Sequence, residues 1–240
     1  MISIFTSSYN HSKYLGECIE SVLSQSYSNF EYLLYDDGST DNSWDIIKKY
    51  AKMDSRIRAF KLDKNPNLGV VINRSLQAYV GDAWLWCPSD DFWMPNLLEE
   101  KVEFHKQYPN CVSYSYWYEI DEKGTVINRK QTKNYTPEEF SKEVWVSSPI
   151  GFTGIWIPRM VFEEVGAFPE HLQFSEDFYW MIKATIDGVN FRCIPKYLYK
   201  KRKHSNRTTN RNIHKILENI PVIRTDLMNY KKKKEDCNDT

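Results

Sequence analysis

The chain has 240 residues, of which 41% are hydrophobic and 15% aromatic, enough apolar material for a globular core. Lys plus Arg and Asp plus Glu both number 32, so the net charge gives no sign of a nucleic-acid partner. The five cysteines lack Cys-x-x-Cys spacing, which argues against a zinc site and a disulfide framework. Because no signal-peptide pattern and no apolar run of about 20 residues occurs, we expect a cytoplasmic location.

Strand and helix patterns alternate along the first 110 residues. The predicted strands cover residues 2–5, 30–35, 57–62 and 83–87. One predicted helix begins after Ser12, and a second covers residues 43–52. A third includes residues 68–76, and a fourth runs from Pro95 to residue 108. This order predicts an α/β fold with a Rossmann-like, mostly parallel central sheet that is flanked by helices.

The second half of the chain has a different pattern. A strand rich in Tyr and Trp is predicted at residues 111–119, followed by a hairpin turn at residues 122–124. Thr136 and Pro137 form a helix start with a capping box, and Ser175-Glu176-Asp177 opens another helix that Gly188 ends. The sequence then becomes basic and ends in a helix-like stretch with a lysine run at residues 231–234.

Two acidic pairs follow predicted strands. Asp36-Asp37 comes directly after residues 30–35, and Asp90-Asp91 comes shortly after residues 83–87. Either pair alone would be read as a polar turn, but in parallel sheets ligands bind at the carboxyl ends of strands. Mg²⁺ or Mn²⁺ bound to a diphosphate requires only one or two carboxylates from the protein. The pairs therefore predict one acidic site for a metal and a polar ligand.

Several motifs keep the order and spacing found in family 2 glycosyltransferases. They lie at residues 2–10, 21–27, 36–41, 67–69, 89–95, 165–168 and 175–177. In contrast, the chain contains neither a Walker-type glycine loop nor Gly-x-Gly-x-x-Gly. The chain thus resembles this family over about residues 1–205, and the resemblance implies a GT-A fold, a nucleotide-sugar donor, a divalent cation and inversion at the anomeric carbon.

The resemblance also implies a division of the chain. Residues 1–205 would form the GT-A domain, with a nucleotide-sugar-binding half at residues 1–110 and an acceptor-binding half at residues 111–205. The acceptor half would carry a smaller sheet. Residues 206–240 would form a C-terminal helical and basic appendage.

The nucleotide and metal contacts carry over by position. Ser7 and Tyr9 lie where the family contacts the base, Asp37 matches the carboxylate that hydrogen-bonds it, and Ser89 is a further nucleotide contact. The resemblance implies Mn²⁺ or Mg²⁺ as the cofactor. Its predicted protein ligands are Asp90, Asp91 and His204.

The reaction centre is predicted from the second half of the chain. Asp177 matches the general base, although a carboxylate in a first helical turn is also favoured by the helix dipole alone. Trp93 and Glu176 are predicted to contact the sugar or the acceptor, while Arg202, Lys203 and Arg207 would neutralise the leaving diphosphate.

The chain departs from the family pattern at Pro88, where the family usually has the first Asp of its Asp-x-Asp signature. A proline side chain can bind neither ribose nor metal, so the choice of nucleotide stays open at this point.

The resemblance implies a metal-dependent inverting glycosyltransferase. The predicted reaction moves a sugar, with UDP-sugar as the favoured donor, to a hydroxyl of a glycan or lipid-linked acceptor in surface polysaccharide biosynthesis. The basic tail would give a peripheral contact with the inner face of the membrane. A sugar nucleotidyltransferase is an alternative, although the loop after the first strand lacks the expected glycines. A non-catalytic nucleotide- or glycan-binding relative is the other alternative.

Overall fold

The computed structural model describes residues 1–64, 66–205, 207 and 211–238. The strands are β1 (Ile2–Ser8), β2 (Phe30–Asp36), β3 (Ile57–Lys61), β4 (Ala83–Trp86), β5 (Phe92–Trp93), β6 (Cys111–Ile120), β7 (Val126–Lys130), β8 (Trp156–Pro158) and β9 (Asn190–Arg202). The helices are α1 (Ser12–Leu23), α2 (Ser43–Met53), α3 (Leu68–Ala78), α4 (Leu97–Gln107), α5 (Pro137–Glu143), α6 (Arg159–Val165), α7 (Glu176–Ile186) and α8 (Ile213–Asn238).

All of these strands belong to one sheet. Its order is β3-β2-β1-β4-β8-β6-β9-β5, and β7 pairs with β6 beside this path. Strands β1 to β4 are parallel to one another, whereas β5 lies antiparallel to β9. The strands of the second half continue the sheet, beginning with β8, which lies antiparallel to β4. The predicted α/β fold with a parallel nucleotide half is confirmed.

Hydrophobic residues pack against both faces of the sheet, which explains why every residue of β2 is buried. Adjacent residues point to opposite faces, so Leu33 joins one core cluster and Leu34 the other. Helix α1 covers the second face with Leu15, Ile19 and Val22, which are fully buried. Burial of each such side chain contributes about 1.5–3 kcal/mol to folding.

The structure corrects the boundaries of several predicted elements. Helix α4 begins at Leu97 after Asn96, so Pro95 lies outside the helix and not at its first position. Strands β5, β8 and β9 were not predicted from the sequence. β9 is the longest strand and contains several charged residues, so it lacks the apolar run that identifies a central strand. Its place is determined by pairing with β6, which is distant in sequence.

The C-terminal stretch is a helix that packs against the domain. Ile223 and Leu227 of α8 are fully buried. Tyr230 Oη donates a hydrogen bond of 2.8 Å to Asp187, and Lys234 of the terminal lysine run contacts the same carboxylate. Residues 206 and 208–210, which precede α8, lie outside the described residues. Among the described residues, no helix is both apolar and long enough to cross a bilayer.

Candidate functional site

Three predicted site segments meet at one edge of the sheet. β1 is parallel to both β2 and β4, with Ser8 opposite Asp36 and Phe5 opposite Trp86. The loops that follow these strands therefore leave the sheet on the same side. The structure brings Ser7, Asp37 and residues 88–91 to this edge, as the sequence predicts.

Asp37 provides a buried acceptor that lacks a donor. Its side chain is 5% exposed, and its Oδ1 atom has no hydrogen-bond partner among the described residues. Burial raises the pKa of Asp37 to about 7, and a hydrogen bond from Ser7 opposes this rise. A buried oxygen without a donor is costly, which suits a site where a ligand N–H completes the hydrogen bond.

The loop after β1 is tied to the loop after β2. Asn10 has a left-handed backbone with φ of 55°, and its Oδ1 accepts a 2.8 Å hydrogen bond from the Thr40 N–H. Asp41 in turn accepts from the Ser12 N–H at the start of α1. Tyr9, directly before Asn10, is 41% exposed. The predicted base-contact residue Tyr9 is therefore accessible on a braced loop.

Asp90 faces a histidine and an arginine. Its Oδ2 lies 3.0 Å from His204 Nε2 and 3.9 Å from Arg207 Nε. Burial alone would raise the pKa of Asp90, but the His204 hydrogen bond and the nearby His11 and Arg207 charges outweigh it and lower the pKa. Asp90 is therefore held in its ionised form.

Ser89 is tied to the start of α1. Its hydroxyl lies 2.8 Å from His11 Nδ1, and the His11 ring meets the His204 ring edge to face. Desolvation lowers the pKa of His11, partly offset by the Asp90 charge. The sequence prediction did not include His11, because a lone histidine after a strand has no metal-ligand spacing to identify it.

Asp91 is buried, and protein donors occupy its carboxylate. The Thr153 hydroxyl donates to one of its oxygens at 2.7 Å, and the Arg202 backbone N–H donates to the other at 2.9 Å. Burial and the neighbouring Asp90 charge raise its pKa to about 6. Both oxygens of Asp91 thus have protein partners, and its predicted role as a metal ligand stays a prediction.

The donor set at Asp90 suits a hard divalent cation that a diphosphate also binds. Among the described residues, no group of three His, Cys, Asp or Glu side chains converges on one point. Asp90 and His204 nevertheless place an oxygen and a nitrogen donor side by side. Mg²⁺ and Mn²⁺ in nucleotide sites take most of their ligands from phosphates and water. The two residues therefore fit a cation that arrives with its nucleotide.

Asp177 and Glu176 occupy the first turn of α7. Burial raises the pKa of Asp177, opposed by the Phe178 N–H and by the charge of Lys201. Burial, followed by the Asp177 charge, raises the pKa of Glu176 to about 8. Glu176 Oε2 is buried and has no hydrogen-bond partner among the described residues. A raised pKa makes the Asp177 carboxylate a stronger base than an exposed aspartate.

The sequence prediction did not include Lys201, whose charge acts on both Asp177 and Asp91. The charges of Asp91 and Asp177 both act on Lys201, while burial, the largest effect, lowers its pKa. Of the predicted cations, Arg207 lies 3.9 Å from Asp90, and Arg202 donates to the Asp90 carbonyl at 3.2 Å and contacts Glu17. Lys203 pairs with Glu119 at 2.8 Å. The basic run at residues 200–203 was the available signal for Lys201, but its position in β9 is set by pairing with β6.

Trp93 is buried beneath the site. Its side chain is 2% exposed and packs in the core with Leu97 and Tyr199. Its indole N–H has no partner among the described residues. Neither face of the ring is open to a sugar in this structure, and the contact predicted for Trp93 stays a prediction.

Comparisons with known proteins agree with this geometry. The profile of the family described as Glycosyl transferase family 2 matches residues 3–166, more than half of the chain. An uncharacterized glycosyltransferase of Rickettsia typhi is 27% identical over 224 residues, covering 91% of this chain and 69% of that protein. The putative teichuronic acid biosynthesis glycosyltransferase TuaG of Bacillus subtilis is 32% identical over 129 residues, which is 54% of this chain but only 51% of TuaG.

Solved structures show the same fold. Staphylococcus aureus TarS residues 1–349 in complex with UDP-GlcNAc match with a TM-score of 0.74 and 21% identity, covering 92% of this chain and 66% of that one. The mannosyltransferase PcManGT of Pyrobaculum calidifontis, in complex with GDP-Man and Mn²⁺, matches with a TM-score of 0.64 and 15% identity, covering 83% and 56%. The motifs, the GT-A fold and the family match agree, and the chain belongs to glycosyl transferase family 2.

Proposed function

We propose that this protein transfers a sugar from a nucleotide-sugar donor to an acceptor hydroxyl, with inversion and with the help of a divalent cation. One observation carries the proposal: the parallel strands β1, β2 and β4 bring the buried Asp37 oxygen that lacks a donor and the Asp90–His204 pair to one edge of the sheet. A nucleotide whose base meets Asp37 would therefore place its diphosphate at Asp90. The charge of Lys201 acts on both Asp91 and Asp177, which supports a base close to this diphosphate.

Each residue has a defined task in this proposal. Asp37 accepts the imide N–H of a uracil base, and Asp90 with His204 would hold Mn²⁺ or Mg²⁺ against the diphosphate. The bound cation would supply charge neutralisation to the leaving nucleoside diphosphate. Lys201 adds a second positive charge toward the same group, which a buried site makes more effective than in water.

Asp177 takes the proton from the acceptor hydroxyl as that oxygen attacks the anomeric carbon. The bond between this carbon and the diphosphate oxygen breaks in the same step, and the attacking oxygen enters from the opposite side. Attack from the opposite side inverts the anomeric configuration. Desolvation keeps the pKa of Asp177 raised, which improves its ability to accept the proton.

The comparisons support a choice of donor and pathway. TarS is solved with UDP-GlcNAc and with UDP, and PcManGT with GDP-Man. TuaG is named for teichuronic acid biosynthesis. We therefore favour a UDP-sugar donor and a growing surface polysaccharide or its lipid-linked precursor as the acceptor.

A contact with the inner face of the membrane would bring the enzyme to such an acceptor. Lys231, Lys232 and Lys233 are exposed on α8, while Lys234 is engaged by Asp187. Exposed lysines near an anionic bilayer contribute about 1 kcal/mol each. Replacing these three lysines with glutamine should reduce binding to phosphatidylglycerol vesicles but not to phosphatidylcholine vesicles; equal binding by both proteins would reject the contact.

A panel of UDP-sugars with Mn²⁺ tests the main proposal. We expect slow hydrolysis of one donor to free sugar and UDP, abolished by EDTA and restored by Mn²⁺. Pyrophosphate-dependent exchange of the nucleotide would instead indicate the nucleotidyltransferase alternative. Binding of the donor without turnover, even with candidate acceptors, would indicate a non-catalytic relative.

A further inference from the structure

The segment that delivers Asp177 contains two residues in an unfavourable backbone conformation. Phe174 has a φ of 73° and Ser175 a φ of 66°, and both precede Glu176 at the start of α7. Side chains with a Cβ atom disfavour this left-handed region, a bulky phenylalanine in particular. Among the described residues, Ser175 forms no side-chain capping hydrogen bond that would compensate. Such a turn persists only where its surroundings hold it.

Asparagine side chains hold the loop that leads to this turn. Asn73 Nδ2 donates to the Phe168 carbonyl at 2.9 Å. Asn67 Nδ2 donates to the Glu170 carbonyl at 2.9 Å and also contacts the Leu172 carbonyl. The first part of the loop is therefore braced from α3 and its cap.

The turn itself is held from the other side, by α8. Asn219 Nδ2 donates to the Gln173 carbonyl at 2.9 Å and to the Phe174 carbonyl at 3.0 Å. An asparagine amide nitrogen has two hydrogens, and both are used here on consecutive carbonyls. Because both partners are acceptors, only the NH₂ end of the amide can face them.

Helix α8 is well anchored for this role. Ile223 and Leu227 are fully buried one and two turns beyond Asn219. Tyr179 of α7 donates a 2.8 Å hydrogen bond to Asp226 of α8, and Tyr230 of α8 donates one of 2.8 Å to Asp187. These contacts join the two helices, so Asn219 has a defined position relative to the start of α7.

We propose that Asn219 is a positioning residue for the general base. By holding the Gln173 and Phe174 carbonyls, it keeps the left-handed turn formed and directs Asp177 toward the reacting centre. The inference rests on the proposed role of Asp177. It assigns a function in catalysis to a helix that contributes no residue to the predicted nucleotide or metal contacts.

The first test replaces the side chain of Asn219. The variant Asn219→Ala should lower kcat for hydrolysis of the preferred UDP-sugar about 10–100-fold, because small misplacements of a reacting group have effects of this size. Its KM for the UDP-sugar should stay within about twofold, since Asp37 and Asp90 are untouched. The matched control is Asn229→Ala, an exposed asparagine on the same helix, which should retain wild-type kcat.

A second variant distinguishes positioning from a general loss of structure. Glycine adopts a left-handed φ without the steric cost, so Asn219→Ala combined with Ser175→Gly should recover most of the lost kcat. Hydrogen exchange should show faster exchange at the amides of residues 174–178 in Asn219→Ala, and not in Asn229→Ala.

Three outcomes test the proposed roles of Asn219 and Asp177. A kcat of Asn219→Ala within twofold of the control overturns the proposal, as does a loss of activity that Ser175→Gly leaves unchanged. Full activity in Asp177→Asn would instead refute the proposed base. In that case the hydrogen exchange at residues 174–178 still decides whether Asn219 holds the turn.

Discussion

The two sides of the candidate site are built in different ways. On the nucleotide side, Asp37 and the Asp90 loop extend from parallel strands whose positions are set by the backbone hydrogen bonds of the sheet. On the acceptor side, Asp177 begins a helix after a left-handed turn that side chains from α3 and α8 hold in place. The positions of Asp37 and the Asp90 loop thus depend on backbone pairing within the sheet. The position of Asp177 depends on side chains that are distant in sequence. Substitutions on the nucleotide side should therefore change the affinity for the nucleotide, and substitutions on the acceptor side should change kcat.

The largest expected effect is on the acceptor side. Asp177→Asn should lower kcat about 10²–10⁴-fold, since an amide cannot take the acceptor proton. The Kd for UDP should change little, because the predicted nucleotide contacts lie at the ends of β1, β2 and β4 and not on α7. Steady-state kinetics with calorimetric titration of UDP measures both quantities, with the exposed Glu218→Gln as the control. A near wild-type kcat in a folded Asp177→Asn protein would contradict the assignment.

The next test compares the two neighbouring carboxylates of the Asp90 loop. Asp90→Asn should weaken Mn²⁺-dependent binding of UDP by at least about tenfold, or about 1.4 kcal/mol. Asp91→Asn should change that affinity by less than about threefold, because both Asp91 oxygens already accept protein hydrogen bonds. Calorimetry with and without EDTA provides the comparison. Equal losses in the two variants would show that Asp91 also holds the metal.

A pH dependence is expected on the nucleotide side. With a pKa of about 7, Asp37 is largely protonated at pH 6 and largely ionised at pH 8. Because the carboxylate is the form that accepts an imide N–H, the affinity for uridine should rise about tenfold between these pH values. Uridine is the chosen ligand because it carries no phosphate that titrates in this range. Asp37→Asn should remove the dependence, and a pH-independent wild-type affinity would contradict the predicted contact.

The last prediction concerns the stability of the fold and not the site itself. Lys101 of α4 is fully buried, and its ammonium group donates to the Ser113 carbonyl at 2.8 Å. Burial lowers its pKa to about 7. Between pH 7 and its ordinary pKa near 10.5, the unfolded chain binds more protons, so stability should rise with pH by up to about 1.4 kcal/mol per unit.

Lys101→Met removes this titrating group at similar volume. Urea unfolding between pH 8 and 9.5 should give a smaller rise in stability for the variant than for the wild type. The kinetic constants at pH 8 should stay unchanged, because Lys101 contacts neither side of the site. Identical pH slopes for the two proteins would contradict the lowered pKa.

Much of the nucleotide side was predictable from sequence. Local apolar periodicity identified β1 to β4 and α1 to α4, and the acidic pairs followed strands that the structure confirms. Periodicity did not reveal β9, where neither a strict alternation nor an unbroken apolar run extends along the strand. It therefore gave no means of assigning separate contacts to Lys201, Arg202 and Lys203.

The sequence by itself determined the family, the α/β alternation and the positions of Asp37, Asp90 and Asp177, because these are properties of short segments and their order. Tertiary structure decided what those side chains face. Pairing of β9 with β6 brings an N–H donor to Asp91 and a charge near Asp177. Docking of α8 brings Asn219 to the turn before Asp177. The Arg202–Asp91 and Asn219–Phe174 hydrogen bonds join residues 111 and 45 positions apart, and no local pattern of hydrophobicity or charge encodes such distances.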